Sequence, residues 1–192
     1  MRSFEARKLQ FIEDVKKDYG KNWRYNLCNM IAKAGDLEVL QWAVENRHIY
    51  DEYTIAHAAE GGHLNVMQWL RDNGCPWDDL TYKFAALGGN LEILIWLKDN
   101  RCPCSPDQDV CSYAALGGHL EVLKWLRSNN YSWSSLSCSD AAKEGHLAVL
   151  QWLITNGCPL DKYACNCASI YKQLHILRWI ENNGCQCGGE YH

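Results

Sequence analysis

Apolar and polar residues follow a helical pattern in the middle of the chain. In residues 120–127 the apolar positions fall at i, i+3 and i+4 intervals: Leu120, Val122, Leu123, Trp125 and Leu126. Glu121, Lys124 and Arg127 fall on the opposite side. This pattern predicts a short amphipathic helix with a wide buried face.

The same helix recurs along the chain, and a tryptophan marks it each time. The intervals are 27, 27, 29, 27 and 27 residues between Trp42, Trp69, Trp96, Trp125, Trp152 and Trp179. A fixed period of about 20 to 50 residues is typical of repeat proteins, in which each unit buries its apolar face only against its neighbours. We therefore interpret the chain as a stack of repeats.

A second helical segment precedes the tryptophan helix in each repeat. It ends in two small residues, as at Ala114-Ala115 and Ala141-Ala142, and a Gly-His turn follows. Glycines after the tryptophan helix are expected to adopt the left-handed C-cap conformation, namely Gly74, Gly157 and Gly184. Each repeat is thus predicted to contain two short helices joined by a turn.

Alignment on the tryptophans predicts one domain over residues 1–192. It begins with an N-terminal capping half-repeat, 1–27, in which Phe11, Ile12 and Val15 supply the inner face. Six repeats follow, at 28–54, 55–81, 82–110, 111–137, 138–164 and 165–192. The third repeat carries two extra residues, and such insertions often map to a binding edge.

Composition narrows the possible partners. The chain has 47% hydrophobic and 22% charged residues and a net charge of -4. An acidic balance makes nucleic acid and anionic membranes poor partners. No apolar run approaches the roughly 18 to 20 residues of a membrane span, and the first residues lack a secretory signal. We expect a protein of the cytoplasm or nucleus.

Most of the 11 cysteines recur at two positions of the repeat, which indicates buried free thiols. Cys165, Cys167, Cys185 and Cys187 lie close together in the last repeat and are the candidate ligands of a thiol-bound metal. Their C-x-C spacing is not that of common zinc sites, so we predict no metal and no cofactor.

The string Ala-Ala-x-x-Gly-His-Leu-x-Val-Leu-x-Trp-Leu, at 114–126 and 141–153, resembles the two-helix part of an ankyrin repeat. The ankyrin period is about 33 residues, and the six missing here belong to the hairpin finger. The shortened form looks like the repeats expanded in large DNA viruses of protists. The resemblance implies an all-α, ankyrin-like α-solenoid of stacked helix-turn-helix repeats with β-hairpin fingers shortened or absent.

Ankyrin repeats bind other proteins through inner helices and loop tips, so the resemblance implies a protein-protein interaction scaffold. In ankyrin repeats the partner is contacted mainly by the two residues after the small pair. We therefore predict a partner-binding patch on the middle repeats. The apolar candidates are Phe84, Leu87, Tyr113 and Leu116, rimmed by Glu60 and Lys143. Acidic candidates at the loop tips are Asp78, Asp79, Asp107 and Asp109, with helix capping as the alternative role.

Other functions fit the sequence less well. His63, His119 and His146 recur at the same position of different repeats, at least one repeat apart, which favours hydrogen-bonded turn residues over metal ligands. The helix tryptophans are expected in the core between repeats. No nucleophile–base pair, phosphate loop or carboxylate pair is present, so we predict no enzyme. The partner is a protein of unidentified sequence, and the chain is a monomer or self-associates weakly. A self-associating structural component and a thiol-metal protein stay as alternatives.

Overall fold

The computed structural model describes residues 3–106 and 109–183, and these contain only helices and turns. An N-terminal helix, α1 (Phe4–Tyr19), precedes six helix pairs. The pairs are α2 (Trp23–Ala34) with α3 (Leu37–Glu45), α4 (Glu52–Gly61) with α5 (Leu64–Asp72), α6 (Asp79–Leu87) with α7 (Leu91–Asp99), α8 (Val110–Leu116) with α9 (Leu120–Ser128), α10 (Ser135–Glu144) with α11 (Leu147–Thr155), and α12 (Lys162–Ile170) with α13 (Leu174–Asn182). The all-α architecture predicted from the period is confirmed.

The chain forms two compact units. The first consists of Met1–Ala85 and Glu92–Cys104, and the second of Ala86–Leu91 and Ser105–His192. The single domain over 1–192 stays a prediction. Helix pairs begin one to five residues before the predicted repeat boundaries, because those boundaries fall inside the first helix of each pair.

Polar side chains start the first helix of several repeats. Asp51 and Thr54 form a reciprocal capping box at α4, where the Asp51 carboxylate accepts from the Tyr53 and Thr54 amides. Asp161 accepts from the Tyr163 amide at 2.9 Å, and Ser134 from the Leu136 amide at 3.3 Å. The loops that precede the first helices therefore owe part of their polar character to capping.

Small residues let the first helices of each unit lie close together. Helix α2 packs on α4 in the first unit, and α10 packs on both α8 and α12 in the second. Ala58 and Ala59 are fully buried, as are Ala114, Ala115, Ala141 and Ala142. Side chains no larger than a methyl group permit this close approach, which explains the small pair in the sequence.

A hydrogen bond joins each repeat to the one before it within a unit. His119 Nε2 donates to the Leu87 carbonyl at 3.0 Å, and His146 Nε2 donates to the Leu116 carbonyl at 3.1 Å. Gln173 Nε2 reproduces the bond to the Lys143 carbonyl at 3.0 Å in the last repeat. We call this contact the inter-repeat bridge. Its carbonyl would otherwise lack a partner at the helix end.

The first unit contains the same bridge and a variation on it. His63 Nε2 donates to the Lys33 carbonyl at 3.0 Å. The first repeat has Asp36 at the histidine position, and its carboxylate pairs with Arg7 Nε of α1 at 2.5 Å. An ion pair thus attaches the capping half-repeat, since α1 is a single helix without a repeat's turn.

Glycines make room for the bridging side chain. Gly118 has φ +78°, and a Cβ atom there would lie 2.7 Å from the His146 ring. Gly157 has nearly the same backbone conformation, φ +82°, but open space around the same position. A side chain at either glycine would strain the backbone, but only one at Gly118 would also collide with the bridging ring.

Alanine substitution should therefore destabilise the two positions unequally. Gly157→Ala is expected to cost about 1 kcal/mol, the strain of a left-handed Cβ. Gly118→Ala should cost about 2 to 4 kcal/mol, because the His146 ring must also move. Urea unfolding followed by circular dichroism measures both, and equal losses would show that packing around the bridge contributes nothing.

Candidate functional site

The residue after each small pair lies in the last turn of the first helix, and its backbone carbonyl accepts the inter-repeat bridge in four repeats. We call these positions the contact row: Lys33, Glu60, Leu87, Leu116, Lys143 and Ile170. Within the second unit the bridges hold the backbone of Leu87, Leu116 and Lys143. In these three positions the side chain of the row stands on backbone that is hydrogen-bonded to the next repeat.

In the second unit the row is mainly apolar. Leu87 and Leu116 are half-buried, as is Tyr113 one turn before Leu116. The two leucines stand on neighbouring backbone positions, because the Leu87 carbonyl lies against Gly117, the residue after Leu116.

The row continues beyond the predicted patch. Lys143 Nζ lies 5.1 Å from the Tyr171 ring centre and 3.4 Å from Glu144. Ile170 is 73% exposed and Tyr171 51% exposed. These two residues lie outside the predicted patch, although they follow the small pair of the last repeat.

Charge dominates the row in the first unit. Lys33 Nζ lies 2.7 Å from Glu60, whose other oxygen is 3.2 Å from His57 Nδ1. The His57 ring stands edge-on to Phe84 with ring centres 5.0 Å apart. Glu60 and Phe84 thus form a connected group in this unit, and Glu60 is an ion-paired residue and not an isolated rim charge.

The acidic candidates in the loops have different environments. Asp78 accepts from the Leu80 amide at 3.0 Å, which is a capping contact, and Asp79 pairs with Lys83 at 2.6 Å. Asp109 is exposed and makes no side-chain capping hydrogen bond to α8. Asp107 lies outside the described residues. Of these four, Asp109 alone has a described side chain with no capping or ion-pair contact.

The helix tryptophans are half-buried, so the expectation that they form the core between repeats is wrong in degree. The next residue takes the fully buried position, as Leu126 and Leu153 do. Trp152 and Trp96 contact rings of the preceding loop, Trp133 at 5.7 Å and Trp77 at 5.6 Å. Trp125 and Trp42 contact rings of the following loop, Tyr131 at 6.4 Å and His48 at 6.0 Å.

Arginines cover the loop tryptophans. Arg127 Cζ lies 3.9 Å from the Trp133 ring centre, and its Nη1 donates to the Tyr131 carbonyl at 2.7 Å. Arg71 lies 4.1 Å from the Trp77 ring centre in the first unit. A guanidinium stacked on an indole shields the ring face. These tryptophans are therefore structural surface residues, not open stacking platforms.

Most cysteines are buried free thiols, and several bond to backbone carbonyls. Cys75 Sγ donates to the Asp51 carbonyl at 3.1 Å and Cys158 Sγ to the Ser134 carbonyl at 3.3 Å. Burial raises the pKa to about 12 at Cys28, Cys75, Cys102 and Cys111. Such thiols stay protonated at neutral pH, which is unfavourable for metal binding and for nucleophilic attack.

The proposed metal ligands of the last repeat fall into three groups. Cys167 is a buried free thiol, and burial raises its pKa. Cys165 is buried, with 1% of its surface exposed. Cys185 and Cys187 lie outside the described residues. Residues 3–106 and 109–183 contain no group of three or more His, Cys, Asp or Glu side chains placed to hold a metal ion.

None of the described helices is both long enough and apolar enough to span a bilayer.

No protein-family model matches the sequence, and no curated protein matches it. Among solved structures, the chain is similar to the ankyrin repeat domain of human ASB11, with a TM-score of 0.57 and 15% sequence identity. The match covers 83% of this chain and 84% of that domain. This likeness establishes an ankyrin-repeat fold.

Thiol reactivity should separate the buried cysteines from the half-buried Cys104. At pH 7 a thiol of pKa about 12 is ionised about a thousandfold less than one with the ordinary value of about 9. Iodoacetamide should therefore label Cys104 first and leave Cys28 and Cys111 unmodified in the folded protein. Peptide mass spectrometry after timed labelling measures this, with urea-unfolded protein as the control. Early labelling of Cys111 would contradict the assignment.

Proposed function

We propose that this chain, which folds as an ankyrin repeat domain does, is a scaffold that binds a partner protein through the contact row of its second unit. The partner-facing side chains are Leu87 and Leu116, with Tyr113 one turn earlier and Lys143 beside them. The adjacency of two half-buried leucines on bridged backbone is the observation that carries the proposal. Such scaffolds work without a cofactor, and we propose no catalytic activity.

Rigidity of the row supports this function. Each bridge satisfies the backbone carbonyl at a contact position, so the side chain is free to vary without loss of the helix end. A surface already held in its bound conformation loses little conformational entropy when a partner docks. Half-buried leucines next to a tyrosine also have the composition of an interface centre.

Charged residues supply the rim of the proposed interface. Lys143 lies at one end of the row, and exposed Asp109 precedes α8 in the same unit. In the first unit, Glu60 with Phe84, and Asp78 with Asp79, are proposed as further contacts of that unit. A partner with a basic segment would associate faster at low salt, since exposed charges act mainly on the association rate.

Leucine-to-arginine substitution tests the row. Leu87→Arg with Leu116→Arg should abolish partner capture from native cell extract, because two charges enter an apolar interface centre. Helicity and the unfolding midpoint should change little, since an arginine at a half-buried position can extend its head group into water. Bound proteins are identified by mass spectrometry from wild type and variant side by side.

A matched control distinguishes the row from apolar surface in general. Ile95 is 41% exposed and Leu136 is 44% exposed, and neither belongs to the row. The variant Ile95→Arg with Leu136→Arg makes the same chemical change and should retain the captured protein. Loss of capture in both variants, or in neither, would contradict the proposed interface.

Self-association is a second candidate function, supported by the exposed apolar side chains of the last helix pair. Ile170 is 73% exposed, Leu174 is 62% exposed and Tyr163 is 54% exposed. Large apolar side chains grouped on one helix pair are typical of a surface that packs against another chain. Self-association through this helix pair is compatible with partner binding by Leu87 and Leu116.

Sedimentation velocity over a hundredfold concentration range tests self-association. If it occurs, wild type should gain mass with concentration, and Ile170→Glu with Leu174→Glu should stay monomeric because it places charges in the contact. A wild-type chain that sediments as a monomer throughout would exclude this candidate and leave the partner-binding proposal unaffected.

We propose a reducing compartment, the cytoplasm or nucleus, as the site of action. Eight of the cysteines in the described residues are free thiols, seven of them buried, and such thiols persist where glutathione keeps them reduced. The viral origin implied by the shortened repeats stays a prediction, as does a host-cell location.

A further inference from the structure

The first unit contains a cavity of about 620 Å³ away from the contact row. It lies between the beginning of α2 and the loop that follows α3. Its walls include Trp23, Trp42 and His48, and its charged lining consists of Lys21, Arg24 and Arg47. This volume falls within the range of about 300 to 1,000 Å³ typical of ligand sites.

The aromatic walls arise from a departure in the repeat. His48 occupies the position that Cys75, Cys102 and Cys158 occupy in other repeats. Those cysteines are buried, whereas the His48 ring is half-buried between two indoles. Ring centres lie 5.7 Å apart for Trp23 and His48, and 6.0 Å apart for Trp42 and His48. The cavity is thus lined by three adjacent aromatic rings.

The cavity lining is positively charged, whereas the chain as a whole is negatively charged. The protein has a net charge of -4, but no acidic side chain lines this cavity. Within residues 3–106 and 109–183, Lys21, Arg24 and Arg47 form no salt bridge, whereas Lys33 and Lys83 are paired with carboxylates. Three exposed cations around an apolar floor favour an anionic ligand.

Exposed apolar residues extend the surface at the edge of the cavity. Tyr25 is 66% exposed and Ile49 is 57% exposed, and both contribute to the lining. Tryptophan, tyrosine and arginine are the residue types that dominate protein interfaces energetically. A small inorganic anion would use the cations but leave this apolar surface uncovered.

We propose that this cavity binds an acidic segment of a partner protein that carries an aromatic or large aliphatic side chain. The apolar side chain packs against the exposed surface of Tyr25 and Ile49 at the edge of the aromatic wall. Flanking carboxylates pair with Lys21, Arg24 and Arg47. A protein segment suits the site better than nucleic acid, because three cations in one cavity do not form the extended basic stripe that successive phosphates require. The site is independent of the contact row in the second unit.

Arg47 offers a substitution that removes charge without damage to the fold. Its φ is +61°, and Gly74 and Gly157 occupy the equivalent position of other repeats with φ +78° and +82°. Arg47→Gly therefore relieves a left-handed side chain while it deletes one cation. Arg101 takes the same position in the third repeat with φ +56°, lies outside the cavity lining, and provides the matched control Arg101→Gly.

The probe is a synthetic peptide with one Phe flanked on each side by Asp-Glu-Asp. Nitrogen-15 NMR of the indole N–H signals should show shifts at Trp23 and Trp42 and smaller changes at the other seven tryptophans. Arg47→Gly should weaken binding about five- to tenfold, as expected for one exposed ionic contact, and Arg101→Gly should change it less than about twofold. Affinity should fall as salt is added.

Four comparisons decide the outcome. The peptide with Ala for Phe should bind more weakly, and the peptide with Lys for every acidic residue should not bind. Equal binding of either peptide would overturn the proposal, as would an absence of shifts at Trp23 and Trp42. Inorganic phosphate that causes the same shifts would indicate a small-anion site, and a short oligothymidylate that binds more tightly than the acidic peptide would indicate nucleic acid. Each of these results overturns the assignment without affecting the contact row.

Discussion

The inter-repeat bridge is the contact on which the rest of the structure depends. A single imidazole or amide N–H satisfies the carbonyl at the end of one helix, and it reaches that carbonyl from the next repeat. It lies in space that glycines leave open, as Gly118 does for His146. Without the bridge the carbonyl at the end of four first helices, those of Lys33, Leu87, Leu116 and Lys143, would lose this partner. Regular stacking of the first helices follows from this repeated contact.

The same bridge holds the backbone of the contact row without using the side chains of the row. Histidine occupies the N-cap position of α5, α9 and α11 but makes no side-chain cap there, because its ring is used between repeats. Backbone geometry at the contact row is thus held from the neighbouring repeat and does not depend on the side chain in the row. Lysine, glutamate, leucine and isoleucine all occur there, so the side chain in the row varies between repeats while the bridge is kept.

The two proposed binding surfaces differ in chemistry. The contact row of the second unit is apolar with a lysine and an aspartate nearby, whereas the cavity of the first unit is aromatic and basic. The cavity lies in a repeat where His48 and Arg47 replace the cysteine and the glycine found in other repeats. A chain with both surfaces would bind two protein segments of different character, which suits an adaptor.

The sequence alone determined the number and type of helices, the turns, the small pair and the bonded role of the repeat histidines, because these depend on spacing within about one repeat. It also placed Leu87, Leu116 and Lys143 at equivalent positions. Only the tertiary structure decided how deeply each tryptophan is buried, that Glu60 pairs with Lys33, and that Trp23, Trp42 and His48 enclose a cavity. Those properties depend on the distance between neighbouring helices and on side-chain direction, neither of which is encoded by the period.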